Sequence, residues 1–186
     1  PEDKISPEVV EAVKMGTTVA TNALLERKGD PTALMITKGF RDALRIAYQN
    51  RPRIFDRNIV LPELLYEQVI EVDERVSAQG ELLKAIDEAQ VKADLVKLFE
   101  KGYRAIAIVL MHGYRYTKHE ETIERLATEV GFTQISVSHK VSPMMKLVSR
   151  GDTTVVDAYL SPILRRYVDQ VASQMDGVRL LFMQSN

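Results

Sequence analysis

The chain has 186 residues, with 25 Lys and Arg against 26 Asp and Glu and a formal net charge of −1. No basic stripe interleaved with aromatics occurs, which excludes a nucleic-acid footprint. It contains no cysteine, so thiol nucleophiles, disulfides and cysteine-containing metal sites are excluded as well. No apolar run reaches transmembrane length and the N-terminal stretch is polar rather than signal-like, so no membrane partner is expected and the cytoplasm is the expected location. At 45% apolar residues the chain can bury a proper core, as one domain or as two lobes at 1–62 and 63–186.

Ser6-Pro7-Glu8 reads as a helix start, with Val9, Val10 and Val13 as its apolar contacts. The next stretch, Gly16-Thr17-Thr18-Val19-Ala20-Thr21-Asn22, carries more uncharged polar chemistry than folding alone requires. Thr17 or Thr18 is a natural N-cap, the helix can run through Lys28, and Gly29 sits where a left-handed C-terminal cap is wanted. Spacings of three and four place Ala20, Ala23, Leu24 and Arg27 on one side and Thr18, Thr21, Asn22 and Leu25 on the other. Free N–H groups at such a helix start favour a carboxylate or phosphate, and Gly16 lets a ligand approach the backbone. The alternative is that Thr17 and Thr18 only cap, while Thr21 and Asn22 bond to solvent or a neighbouring loop.

Thr32 to Thr37 is a short apolar strand, and Lys38-Gly39 turns into a helix over 41–48 that buries Leu44 and Ala47. Residues 49–61 form a loop, because Pro52 lacks an N–H and pushes Arg51 into an extended conformation. Its arginines, Arg51 first, either meet an anionic ligand or are ordinary surface charge on a connector. From Tyr66 to Val76, Tyr66, Ile70, Val72 and Val76 alternate with Glu67, Glu71, Asp73 and Arg75, the pattern of a half-buried strand. Gln79-Gly80 is a tight turn, and Asp87 caps a helix that buries Val91, Leu95, Leu98 and Phe99 and ends before Gly102.

Ala105 to Met111 is nearly all aliphatic and fits a strand covered on both faces. His112 falls at its carboxyl end, where open α/β sheets place ligands; a hydrogen-bonded structural histidine is the alternative. His119 and His139 show no ligand spacing with it, so no histidine metal site is expected. Thr117 with Glu120 reads as a capping box opening a helix that buries Ile123, Leu126, Ala127 and Val130 and stops at Gly131. A further strand is expected over 134–138.

Arg150-Gly151-Asp152-Thr153-Thr154 places Asp152 as the N-cap of a long helix with Val155, Tyr159, Ile163, Tyr167 and Val171 on its stripe, bent or interrupted at Pro162. A glycine with paired threonines thus occurs twice at an expected helix start, either as two turns meeting across a cleft or as two independent caps. Arg179 to Met183 is a last strand, and its run into Gln184-Ser185-Asn186, with a start at Pro1, is expected of an excerpt from a longer protein. The helix/strand order predicts an α/β fold with a mixed sheet and flanking helices. An edge left open there would favour a homo-oligomer.

Met15 to Gly29 resembles the N-terminal region of the hydantoinase/5-oxoprolinase family. Lys38-Gly39-Phe40-Arg41-Asp42, Arg51 to Asp56, Pro62-Glu63 with Tyr66-Glu67, Glu71 to Val76, Val109 to His112, and Arg150 to Thr154 with Asp157 to Leu160 are similar to the ATP-dependent 5-oxoprolinase branch. The resemblance implies an ATPase core of the actin/sugar-kinase/Hsp70-like, ribonuclease H-like type. Its Gly-rich phosphate turns would lie upstream of Pro1 and just downstream of Asn186. It implies ATP and Mg as cofactors, a small-molecule substrate, and the rest of a parent chain or a hydantoinase B-like region as partner. The implied chemistry is ATP-driven opening of the 5-oxoproline lactam to glutamate, with the excerpt alone inactive. The implied catalytic residues are Thr18, Asn22 and Asp152. Gly16, Thr17, Thr21, Arg51, Arg150, Gly151, Thr153 and Thr154 are the implied substrate- and phosphate-binding set. Asp157 either shares the orienting role of Asp152 or pairs with Arg165 or Arg166. An ATP-dependent N-methylhydantoinase, the ATP-using subunit of a ketone carboxylase, and a non-catalytic interaction module are the alternatives.

Overall fold

The computed structural model describes residues 10–49, 55, 57–175 and 177–183. The helix start expected at Ser6-Pro7-Glu8 and the Arg51 loop segment lie outside the described residues. The chain divides into two compact units, 30–159 and 1–29 with 160–186.

The larger unit is built on a four-stranded sheet in the order β3-β2-β6-β7. β2 (Thr32–Thr37) and β6 (Ala105–Val109) are its centre, β3 (Gln68–Val72) and β7 (Gln134–Val137) its edges, and every pairing is parallel. Every residue of β2 and β6 is buried, which is why both segments read as near-continuous apolar runs rather than alternating ones. Ala33, Met35, Ile106 and Ile108 face α3 (Glu88–Glu100) and α4 (Lys118–Val130), packing with Val91, Leu95, Leu98, Ile123 and Leu126. Leu34, Ile36, Ala107 and Val109 face the opposite way, onto Leu44 of α2 (Ala43–Ile46) and Val155 and Ala158 of α6 (Leu147–Gln174). The expected mixed sheet is therefore corrected. Helical crossovers make the main sheet all-parallel, and the antiparallel pair, β4 (Arg75–Val76) with β5 (Leu82–Lys84), is a separate hairpin. Gly80 turns that hairpin with φ +91°, and the Tyr116 ring occupies the space a Cβ would need.

Helix ends follow their expected chemistry in α3, where the Asp87 carboxylate accepts from Gln90 N at 3.0 Å. They do so again in α4, which stops at left-handed Gly131. Elsewhere the structure differs. The helix expected over 41–48 shrinks to α2, because Leu44 is its sole buried anchor and Ala47 adopts a left-handed φ of 48°. The strand expected over 66–76 breaks after Val72, where Glu74 turns inward. α6 begins at Leu147, five residues ahead of the expected cap, since Leu147 and Val148 pack onto the sheet, and it runs through Pro162 uninterrupted. β2 and β3 lie on either side of residue 62 and pair in one sheet.

In the smaller unit β1 (Ala12–Met15) pairs in parallel with β8 (Arg179–Phe182), Ala12 opposite Arg179 and Met15 opposite Phe182. Its first helix, α1 (Val19–Leu25), ends a turn before Gly29. Arg27, at φ 55°, takes the left-handed position, with Lys28 N bonding Ala23 O and Arg27 N bonding Leu24 O. No described helix is long and apolar enough to cross a membrane.

Candidate functional site

The polar face of α1 forms as its spacing predicts. Ala23 is buried, while Thr18, Thr21 and Asn22 are exposed, and none of those three side chains bonds to another described residue. Thr17, not Thr18, supplies the hydroxyl that receives a helix-start N–H, accepting from Val19 N at 3.1 Å. Gly16 is exposed, and among the described residues a Cβ built there would meet only the Met183 Cε, at 3.9 Å, so the backbone there is open to approach. At seven residues α1 has a small dipole, so the exposed hydroxyls and amide carry the polarity of this face.

The second glycine-threonine turn sits in the larger unit and is not a helix start. Gly151 to Thr154 lie inside α6, where Thr153 and Thr154 hydroxyls donate to Ser149 O at 3.0 Å and Arg150 O at 2.7 Å. Gly151 is a packing residue: a Cβ would collide with Leu44. Asp152 stands at the edge of an apolar depression walled by Leu44, Leu64, Leu65, Val155 and Val156, and this partial burial pushes its carboxyl up from the ordinary value. Asp157 accepts from Ser136 Oγ at 2.6 Å, joining α6 to β7.

Arg150 is fully buried and its five donors are all committed. Nε donates to Ser138 Oγ, one terminal nitrogen to Met144 O and Met145 O, the other to Leu110 O and Met111 O. No donor is left for an anionic ligand, so the expected charge-binding role is corrected to a structural one. Burial pushes the guanidinium down from its usual value, and the Glu120 carboxylate acts against that.

Glu120 is the centre that sequence reasoning missed. Instead of closing a capping box it is fully buried, while Thr117 bonds Glu121 at 2.6 Å. Its Oε1 accepts from Leu110 N at 2.8 Å and Ser138 Oγ at 2.6 Å, its Oε2 from His139 N at 3.2 Å and His139 Nδ1 at 2.7 Å. Gly113 makes the room, because a Cβ there would overlap the carboxylate. A second buried carboxylate, Glu74, accepts from Thr37 Oγ1 and His119 Nδ1, and Thr37 Oγ1 in turn accepts from Met111 N at 2.9 Å. His112 Nδ1 donates to Val76 O at 2.7 Å. These groups line the carboxyl ends of β2, β6 and β7, the edge where open parallel sheets carry ligands. Adjacent residues on α4, His119 and Glu120, anchor the two networks, and all three histidines have Nδ1 engaged. The sequence signal was the His-Glu pair at 119–120 with Ser-His after a strand at 138–139. Among the described residues no three of His, Asp and Glu are grouped to hold a metal.

The profile of the hydantoinase/oxoprolinase N-terminal region matches residues 2–131, and that of hydantoinase/oxoprolinase matches residues 150–186. The chain belongs to the hydantoinase/oxoprolinase family. It is 45% identical to 5-oxoprolinase 1 of Arabidopsis thaliana over 98% of its own length and 16% of that protein's. The crystal structure of an ATP-dependent caprolactamase from Pseudomonas jessenii superposes with a TM-score of 0.81 at 25% identity, over 99% of this chain and 28% of that one. A nucleotide-free acetone carboxylase shares the fold, with a TM-score of 0.74 at 19% identity over 88% of this chain and 25% of that one. The chain therefore spans about a sixth of the plant relative and about a quarter of each solved structure.

Proposed function

We propose that this chain is part of an ATP-dependent 5-oxoprolinase that opens the lactam of 5-oxo-L-proline to L-glutamate. The observation that carries the reading is the 45% identity to a plant 5-oxoprolinase along 98% of the chain, and the likeness to an ATP-dependent caprolactamase supports it. The parallel sheet with helices on both faces suits an actin/sugar-kinase/Hsp70-like ATPase core.

A lactam carbonyl is a poor electrophile, and ATP supplies the activation by turning the lactam oxygen into a leaving group. The exposed hydroxyls of Thr18 and Thr21 and the Asn22 amide, unengaged by described protein groups, have the donor and acceptor types to hold lactam or phosphoryl oxygens beside the open backbone of Gly16. Thr17 orients that turn through its bond to Val19 N. Among the described residues no three of His, Asp and Glu are grouped to hold magnesium. Asp152, raised by its apolar surroundings, is poised as an orienting carboxyl, while Gly151, Thr153 and Thr154 support it from within α6. The test is 5-oxoproline-dependent ATP hydrolysis by the full-length parent carrying Thr18→Ala or Asn22→Ala. Turnover is expected to fall about tenfold or more per lost transition-state bond, with the unfolding midpoint unchanged. Unchanged turnover in both variants overturns the assignment.

A further inference from the structure

Tyr66, just before β3, carries a buried hydroxyl with no hydrogen-bond partner, and no other buried side-chain polar atom among the described residues is left so. The residue is 7% exposed and packs in the core between the sheet, α2 and α6. An unpaired buried hydroxyl costs about 1–3 kcal/mol, so a native structure that keeps one calls for an explanation. Tyr66 lies on the wall common to two recesses. One, a cavity of about 320 Å³, is polar and carries Arg41, Asp42, Arg45 and Glu67 on its rim. The other is the apolar depression of about 180 Å³ that ends at Asp152, and Leu64 is shared by both. Sharing Leu64 and Tyr66, the two recesses set a charged arm beside an apolar arm, with the size and mixed character of a small-molecule site.

The charged arm carries both signs. Arg41 and Arg45 are exposed and neither forms a hydrogen bond or ion pair with another described residue. Among the described residues Asp42 has no side-chain bond either, and Glu67 accepts only from the Tyr103 hydroxyl, at 3.0 Å, through one of its two oxygens. A simple anion would meet Asp42 and Glu67, and a simple cation would meet the two arginines. A ligand carrying both charges a few ångströms apart satisfies all four.

We propose that this groove binds a small zwitterion of amino-acid type. Its carboxylate bonds Arg41 and Arg45 and takes the missing hydrogen bond from Tyr66 Oη. Its ammonium bonds Asp42 and Glu67. Its apolar side chain lies over Leu64 towards Val155 and Val156. All of these residues belong to the one compact unit, and the assignment is independent of the lactam-opening reading.

The test is amide NMR of the 186-residue chain titrated with L-leucine, with 4-methylpentanoate and 3-methylbutylamine as its separate charged halves. Leucine is expected to shift the amides of Leu64, Tyr66, Val69 and Val156, and each half to bind at least about tenfold more weakly, as loss of one charge-assisted contact predicts. Arg45→Ala and Tyr66→Phe are each expected to weaken leucine about tenfold. Tyr66→Phe separates binding from folding, because removing an unpaired hydroxyl leaves the ligand-free thermal midpoint equal or higher. Equal binding of leucine and 4-methylpentanoate, or leucine affinity unchanged in both variants, overturns the proposal. So does a parent protein in which amide exchange at 64–69 is fully protected without ligand and leucine does not bind, since a segment of the parent then fills the groove.

Discussion

Replacing Glu120 by glutamine keeps the shape of the side chain and changes only what its two oxygen positions can do. Four donors converge on the carboxylate, two on each oxygen. The amide nitrogen must take one of those positions. On the Oε1 side Ser138 can turn its hydroxyl to accept, but Leu110 N–H loses its acceptor. On the Oε2 side the His139 ring can change tautomer, but His139 N–H loses its acceptor. Either way one buried backbone donor is orphaned, at about 1–3 kcal/mol. The fully buried Arg150 also loses the opposite charge of Glu120, which it meets through the Ser138 hydroxyl rather than in a direct ion pair. Arg150 keeps its five partners, so the loss is expected to be that of the orphaned donor, about 1–3 kcal/mol. Urea unfolding followed by circular dichroism should show a lower midpoint at unchanged m-value. A loss below about 1 kcal/mol would refute the reasoning, because the carboxylate would then not be the acceptor joining α4 to the segments that follow β6 and β7.

Gly113→Ala drives a methyl group into that same carboxylate, which its four donors hold in place, and should destabilise by about 1–3 kcal/mol by the same unfolding assay. Leu95→Ala empties a fully buried position between α3 and the sheet and should cost about 2–5 kcal/mol, read as a fall in thermal midpoint. Asp152 has its carboxyl raised by partial burial. For a carboxyl raised in the folded state, the two states hold equal protons below the unfolded value, and stability falls as pH rises from there through the folded value. Asp152→Asn should therefore raise the thermal midpoint at pH 7 relative to wild type and leave it unchanged at pH 3, and an equal effect at both would contradict the burial assignment.

Much of the scaffold was legible from pattern alone, because its driving forces are local or periodic. β2 and β6 were visible as aliphatic runs, α3 through its Asp87 cap and α4 through the Gly131 stop. What failed depended on side chains meeting across sequence distance. Glu120 satisfies every local criterion for a capping box, yet Gly113, Ser138 and His139, from 7 to 19 residues away, outbid it for a buried position. Arg150 and Thr154 looked like a ligand-binding turn because a glycine and paired threonines often start a helix. The start of α6 was instead set upstream by Leu147 and Val148 packing on the sheet. The polar face of α1 was read correctly from spacing, although left-handed Arg27 ended that helix before Gly29. A positive φ at a non-glycine residue leaves no compositional trace.

The central claim is tested most directly by product analysis with the full-length parent protein and ATP, offering 5-oxo-L-proline, caprolactam, hydantoin and acetone in turn. Stoichiometric L-glutamate from 5-oxo-L-proline, with ATP consumed only when that substrate is present, is the predicted result. ATP consumption driven by hydantoin or acetone but not by 5-oxo-L-proline would contradict the oxoprolinase assignment while leaving the family intact.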